Sequence, residues 1–144
     1  MENTKNTLQV LKLETDAKLP VRAHHNDAGA DIFSLSDYTL VPNEPVKIRT
    51  GIAMAVPDGY VGMICDRSSM GAKGVRVLGG IIDSGYRGEV QVLLINLRQT
   101  PLSIQRGDKI AQLLLLPVGL HQVVEAESLD DTARASGGFG STGV

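Results

Sequence analysis

The sequence predicts an all-β fold of the barrel or jelly-roll type. Apolar residues come in short, β-branched runs that Pro, Gly and Asp interrupt at close intervals, and no segment carries a convincing long helical period. Glycine is abundant, at 16 of 144 residues, as short strands and tight turns require. A chain of this length that is 42% hydrophobic can bury one substantial core.

The elements follow in order. Residues 8–13 place Leu8, Val10, Leu11 and Leu13 around Gln9 and Lys12, a first strand. Strands are predicted over 38–41, 46–56 and 60–66, divided by the turn signals Pro42-Asn43-Glu44-Pro45 and Pro57-Asp58-Gly59. Residues 68–73 can form about one turn of helix before Gly74. The most hydrophobic strands are predicted over 89–97 and 109–118. Within them 92–95 and 113–116 are continuously apolar, so both faces are expected to be buried. A small domain rarely buries both faces of several antiparallel strands alone; subunit association would account for it. Residues 121–135, rich in Glu and Ala, offer a helix that Val123-Val124 and Asp130-Asp131-Thr132 oppose. From Ser128 the apolar runs stop, and the polar, glycine-rich end is expected to be mobile when empty. The chain therefore divides into a β-domain over 1–130 and an arm over 131–144.

Bulk properties exclude some function classes. A formal charge of −2 argues against an electrostatic grip on nucleic acid. The longest apolar run, 113–116, lies between Gln112 and Pro117 and is far too short for a membrane. The polar start Met1-Glu2-Asn3-Thr4-Lys5-Asn6 leads into no secretory apolar region, so the expected location is intracellular, cytoplasmic by default. Cys65 is the only cysteine, reads as a small buried hydrophobe on a strand, and permits no intrachain disulfide.

Five segments bear on chemistry. In Asp66-Arg67-Ser68-Ser69-Met70-Gly71 an Arg and two hydroxyls sit where a short helix begins, which suits a phosphate, or else a plain Ser N-cap beside a surface Arg. In Gly79-Gly80-Ile81-Ile82-Asp83-Ser84-Gly85-Tyr86-Arg87-Gly88 the glycines suit a hairpin whose backbone approaches something closely. Asp83 could stand at a cavity edge and Tyr86 could offer a flat face; the alternative is a β-turn with an Asx cap. Gly137-Gly138-Phe139-Gly140-Ser141-Thr142-Gly143 joins flexible backbone donors and hydroxyls to one aromatic, a phosphate cradle or a linker end. Arg106-Gly107-Asp108-Lys109-Ile110-Ala111-Gln112 reads as a turn entering a strand. His24-His25-Asn26-Asp27 with Asp31 invites a metal, but adjacent histidines on a strand face opposite ways, and a solvated loop is expected.

Taken in order with Ala28-Gly29-Ala30-Asp31-Ile32-Phe33-Ser34, these segments resemble the five motifs of the trimeric dUTPase family over nearly the whole chain. The resemblance implies an eight-stranded jelly-roll subunit, a homotrimer, and three active sites each built by three chains. It implies hydrolysis of dUTP to dUMP and pyrophosphate. The hairpin 79–86, with Gly80 and Ile82, would hold uracil through backbone groups and leave no room for a thymine methyl. Tyr86 would pack under the deoxyribose, where a 2′-hydroxyl would clash. Asp83 would hold the attacking water and act as base. Arg67, Ser68, Ser69 and Gln112 of a neighbouring chain would bind the phosphates. The third chain's arm would lay Phe139 over the base and set Arg134, Gly140, Ser141 and Thr142 about the γ-phosphate. Mg²⁺ would be held by phosphates and waters, with Asp31 at most an outer-sphere partner.

The physics agrees with those roles. An aspartate is ionised at neutral pH and can accept a proton from water. Ordering the arm costs roughly 1–2 kcal/mol per residue in backbone entropy, and burying Phe139 returns only about 1.5–3 kcal/mol. Charged contacts to a triphosphate must supply the remainder, so closure should depend on the γ-phosphate. Two positions depart from the family pattern. Asp66 stands where Pro or a small residue is usual, which is unfavourable beside phosphates unless its carboxylate points away or pairs with Arg67. Ala135 stands where Gly is usual. The dCTP deaminases share the implied fold but resemble longer chains with a Glu base, whereas Asp83 and a full glycine-rich arm are present here.

Overall fold

The computed structural model describes residues 7–143, so the polar start at 1–6 and Val144 lie outside the described residues. The chain is all-β with one short helix. Its elements are β1 (Gln9–Lys12), β2 (Ala30–Phe33), β3 (Tyr38–Leu40), β4 (Val46–Arg49), β5 (Ile52–Ala55), β6 (Tyr60–Cys65), α1 (Ser68–Ala72), β7 (Val75–Leu78), β8 (Ile81–Ile82), β9 (Gln91–Asn96), β10 (Leu102–Ile104) and β11 (Lys109–Pro117). They form sheets ordered β2-β11-β6-β8, β4-β9-β7, β1-β5 and β10-β3, with every pairing antiparallel.

One core joins these sheets. Ile32, Ile64, Ile82, Ile110 and Leu113 come from the four-stranded sheet, and Ile48, Val75, Val92 and Leu94 from the three-stranded one. Ile52 and Met54 of β5, with Leu40 of β3 and Ile104 of β10, complete it. Each large side chain among them contributes about 1.5–3 kcal/mol on burial.

The stretch 46–56 is not one strand. Gly51 turns it at φ 70, where an added Cβ would lie 2.9 Å from the Ala17 methyl, and the chain passes from β9, paired by β4, to β1, paired by β5. The buried Thr50 hydroxyl donates to the Val90 carbonyl at this corner. Strands β2, β7 and β10 escape the sequence patterning. β2 contains Asp31 between Ala30 and Ile32, β7 is a short edge strand, and β10 has only three residues.

Two further readings meet the structure. Residues 121–135 form no helix; they run in extended and turn conformations, with Val123 95% exposed. Nor does one chain bury both faces of its most apolar strands. In β9, Val92 and Leu94 are buried and Leu93 and Ile95 only partly so; in β11, Leu113 is buried and Leu116 is exposed. A face of each strand is left for something else to cover. Cys65 ends β6 partly buried rather than buried, and burial, then the neighbouring Asp66 charge, pushes its thiol pKa up.

Asn96 is fully buried, and all of its polar atoms are used. Its amide donates to the Leu40 and Thr100 carbonyls, each at 2.9 Å, and its carbonyl accepts from the Arg98 N–H at 3.0 Å. Asn96→Ala strands those groups and should destabilise the protein by about 2–4 kcal/mol, read as a lowered urea midpoint at unchanged slope. Gly80 offers a second test. At φ 102, an added Cβ would sit 2.4 Å from the Ile64 carbonyl oxygen. Gly80→Ala should lower the melting temperature by several degrees, from about 2 kcal/mol or more of strain, whereas Gly138→Ala, in open space, should leave it unmoved.

Candidate functional site

The first cluster forms where β2, β11 and the end of β6 meet. Register sets Gln112 opposite both Asp31 and Cys65, and the chain then leaves β6 through Asp66 and Arg67 into α1. Arg67 is the N-cap of α1 without a side-chain cap bond, so neither Ser68 nor Ser69 serves as the helix cap. The Arg67 guanidinium donates through Nε to Asp31 Oδ1 at 3.0 Å, and through Nη1 to Ser69 Oγ at 3.3 Å and the Lys109 carbonyl at 3.2 Å. Lys109 Nζ closes on the other Asp31 oxygen at 2.8 Å.

Arg67 and Lys109 are balanced by Asp31 and Asp27 in the lining, and the guanidinium with the Ser68 and Ser69 hydroxyls supplies the groove's hydrogen-bond donors. Gln112 is fixed on both sides: its amide donates to the Asp66 carbonyl at 2.7 Å, and a Cβ on Gly29 would lie 2.0 Å from its Oε1. The groove encloses about 520 Å³ and is lined by Gly29, Asp31, Arg67, Ser68, Lys109 and Gln112 among others. Its chemistry suits an anion. α1 has only five residues, so the side chains carry that character rather than the helix.

The second cluster lies on the side of β6 away from β11. Gly79 and Gly80 take φ 67 and 102, and the Gly80 carbonyl accepts from the Ile64 N–H at 2.7 Å, pinning the backbone against β6. β8 then pairs with β6, and the chain turns through Asp83 to Tyr86. That turn is closed by the Asp83 carbonyl, which accepts from the Tyr86 N–H at 3.1 Å. The carboxylate is therefore not spent as an Asx cap, and among the described residues nothing engages it.

Tyr86 lies against Gly88, where a Cβ would meet its Oη at 2.4 Å, and it donates to the Glu89 carbonyl at 2.9 Å. Arg87 braces the turn by donating to the Ser84 carbonyl at 2.6 Å. Glu89 in turn accepts from Gly51 N–H at 2.9 Å and pairs with Arg49 at 3.1 Å. The resulting cavity, about 270 Å³, has Ile64, Val77, Gly80, Ile82, Asp83 and Tyr86 on its walls. Apolar sides, backbone groups and one unspent carboxylate at the rim suit a flat polar ring carrying a reactive centre.

The arm forms a third group. Arg134 donates to its own Gly137 carbonyl at 2.9 Å, Ser141 N–H donates to the Gly138 carbonyl at 3.0 Å, and the Phe139 ring is fully exposed. Ala135 and Phe139 adopt positive φ, 43 and 50. Arg134, Phe139, Gly140, Ser141 and Thr142 line neither cavity, and the two cavities share no lining residue. One chain thus brings Asp83 to Tyr86, and Arg67 to Ser68, Ser69 and Gln112, but does not bring the three groups together.

The residues that sequence reasoning missed are Gly29, Lys109 and Glu89. Lys109 lies within a segment that reads as a plain turn into a strand, and only the β11–β2 register reveals that it faces Asp31. Asp66 answers the doubt about its charge: its carboxylate turns away from Arg67 and pairs with Arg76. His24 and Asp27 form a local exposed loop, with the His24 N–H donating to the Asp27 carboxylate at 2.9 Å and lowering its pKa first, ahead of the ring contact. Among the described residues no three His, Cys, Asp or Glu side chains group closely enough to hold a metal. Both Asp31 oxygens are engaged by cations. The described residues thus offer no cage made by protein alone.

Comparison with known proteins bears on the same residues. The family model for dUTPase matches residues 15–143. The deoxyuridine 5′-triphosphate nucleotidohydrolase of Mycolicibacterium gilvum is 47% identical, over 95% of this chain and 95% of its own length. A solved dUTPase of Staphylococcus bacteriophage 80alpha, with dUPNHPP, superposes with a TM-score of 0.91 at 32% identity, over 96% of this chain and 99% of that one. A mutant dUTPase from phage phi11 of S. aureus, described with a structural Mg(II) ion, gives a TM-score of 0.80 at 33% identity, over 85% of this chain and 98% of its own. With its jelly-roll β fold and this likeness along nearly its whole length, the chain belongs to the dUTPase family.

Proposed function

We propose that the chain hydrolyses dUTP to dUMP and pyrophosphate, with Asp83 activating the water that attacks the α-phosphate. The observation that carries this reading is the Asp83 carboxylate, unspent at the rim of a cavity whose floor is fixed by Gly80 and whose wall is Tyr86. Uracil would sit against the hairpin backbone. The Gly80 carbonyl is committed to Ile64 and Ile82 is paired with Gly62 in the ladder, which leaves the Gly80 N–H and the outward backbone of Ile81 to read the base. Tyr86, held by Gly88 and Glu89, would fill the space a 2′-hydroxyl needs.

In the reaction, water oxygen bonds to the α-phosphorus, its proton passes to the Asp83 carboxylate, and the bond from the α-phosphorus to the bridging oxygen breaks. Pyrophosphate leaves. Arg67, Ser68, Ser69 and Gln112 hold and neutralise the phosphates, and Lys109 keeps Arg67 aimed by sharing Asp31 with it. A Mg²⁺ bound by the three phosphates and waters would supply further charge neutralisation, with Asp31 no closer than its outer sphere.

The two cavities share no lining residue, which supports a complete site built from more than one copy of the chain. A homotrimer supplies this: the anion groove of one subunit, the Asp83 cavity of the next, and the arm 131–144 of the third over both. The exposed Leu120, Val123, Val124 and Leu129 that lead into the arm, and the uncovered faces of β9 and β11, favour such an assembly. Val144, the last residue of the proposed arm, is outside the described residues.

Asp83→Asn should retain dUTP binding and lose turnover by about 10²–10⁴-fold, the range for removing a general base; turnover near the parent rate would refute the assignment. Deleting residues from Arg134 onward should leave the β-domain folded and also abolish most turnover. Mixing those truncated chains with full-length Asp83→Asn chains, under confirmed subunit exchange, should restore activity, since the arm of one parent can cover the intact Asp83 of the other. Exchange without recovery would mean that the arm serves its own chain or plays no catalytic part.

A further inference from the structure

We infer that Asp66 is a positioning residue, which holds the anion groove in place by tying it to the wall of the Asp83 cavity. The inference rests on the proposed reading of the two cavities. Asp66 follows the last ladder residue of β6, where the strand no longer fixes the chain, and it precedes Arg67 directly. Its backbone carbonyl accepts from the Gln112 amide at 2.7 Å, so the Asp66 peptide sets where Gln112 points.

Its side chain reaches the other way. Oδ1 accepts from the Val77 N–H at 2.6 Å, and Oδ2 accepts from Arg76 Nε at 2.5 Å. β7 is the edge strand of β4-β9-β7, and the ladder to β9 uses its inner side. The Val77 N–H is thus an outward-facing donor that the Asp66 carboxylate satisfies. Val77 itself lines the Asp83 cavity, and Gln112 and Arg67 line the groove.

A charge-assisted bond to an N–H held by a strand is a firm anchor. Without it, the Asp66 side of the peptide that orients Gln112 loses its tie to β7, while the Arg67 side keeps its contacts to Asp31 and α1. β7 keeps its ladder to β9, so the loss falls on the groove and spares the cavity. In a shared-site assembly, the groove and the cavity of one chain serve different active sites, and Asp66 lies between them.

Three forms of the full-length protein test this: parent, Asp66→Ala and Asp66→Asn. Each is measured for kcat and KM with dUTP and Mg²⁺, for inhibition by deoxyuridine, which has no phosphate, and for melting temperature. Asp66→Ala should raise the KM for dUTP about five- to tenfold, the scale of one ordinary net hydrogen bond passed on to the groove, with kcat and the deoxyuridine inhibition constant within about twofold. Asp66→Asn should recover most of the KM, because its amide oxygen still accepts from Val77.

An unchanged KM in Asp66→Ala overturns the inference. So does a rise in KM matched by the deoxyuridine constant, which would mark a general structural role, and so does an Asn variant as impaired as Ala. If Asp66→Ala does not fold, Asp66→Ser replaces it, its hydroxyl being too short to span to Val77, and the same criteria apply. Parent turnover that collapses in Asp83→Asn upholds the catalytic reading independently, so an unshifted KM would count against Asp66 alone.

Discussion

The position of β11 between β2 and β6 is the constraint on which the rest of the molecule depends. Its inward residues Ile110, Ala111 and Leu113 are buried and fix the strand in the core. Once it is fixed, antiparallel register dictates that Gln112 faces Asp31 on one side and Cys65 on the other, and a bulge between Lys109 and Ala111 sets Lys109 opposite Phe33, within reach of Asp31. A slip of one residue would turn Gln112 into the core and Leu113 into the groove. Hydrophobic burial, a non-directional force, thereby places polar groups to within hydrogen-bonding distance.

The same strand pairs explain why the site has an unusual division of labour. Atoms that must be rigid are placed by close approach to a glycine: Gln112 against Gly29, the Ile64 carbonyl against Gly80, Tyr86 against Gly88. Groups that must meet charge are placed by ion pairs at the strand ends, where Arg67, Asp31 and Lys109 share one another's contacts. Neither device ties the arm to the β-domain, and the arm is the one part whose functional groups line no cavity wall.

Much of this was legible in the sequence, and the exceptions have physical causes. The strands over β1, β3, β6, β9 and β11 were visible because their apolar runs are bounded by Pro and Gly, and the short helix because Gly74 closes it. The break at Gly51 was hidden because Ile48, Ile52 and Met54 keep one apolar character through a corner that is created by tertiary pairing of Thr50 with Val90. β2 was hidden by Asp31, whose charge is satisfied by Arg67 and Lys109, both remote in the chain. At the site, Asp83, Tyr86, Arg67 and Gln112 were found through motif chemistry. Lys109, Gly29 and Glu89 were not, since each acts through a partner that only the fold brings near. The sequence also could not say where the Asp66 charge goes, because Arg76 and the Val77 N–H belong to a strand that its pattern did not announce.

The left-handed backbone of Ala135 and Phe139 carries a consequence for energetics. A residue with a Cβ in that region sits about 1 kcal/mol or more above its relaxed state. Among the described residues only contacts within the arm itself hold those dihedrals, so a free arm can leave them and stores no strain. A bound state that required the left-handed backbone at both residues would have to meet that cost itself, and a glycine at 135 would remove its share.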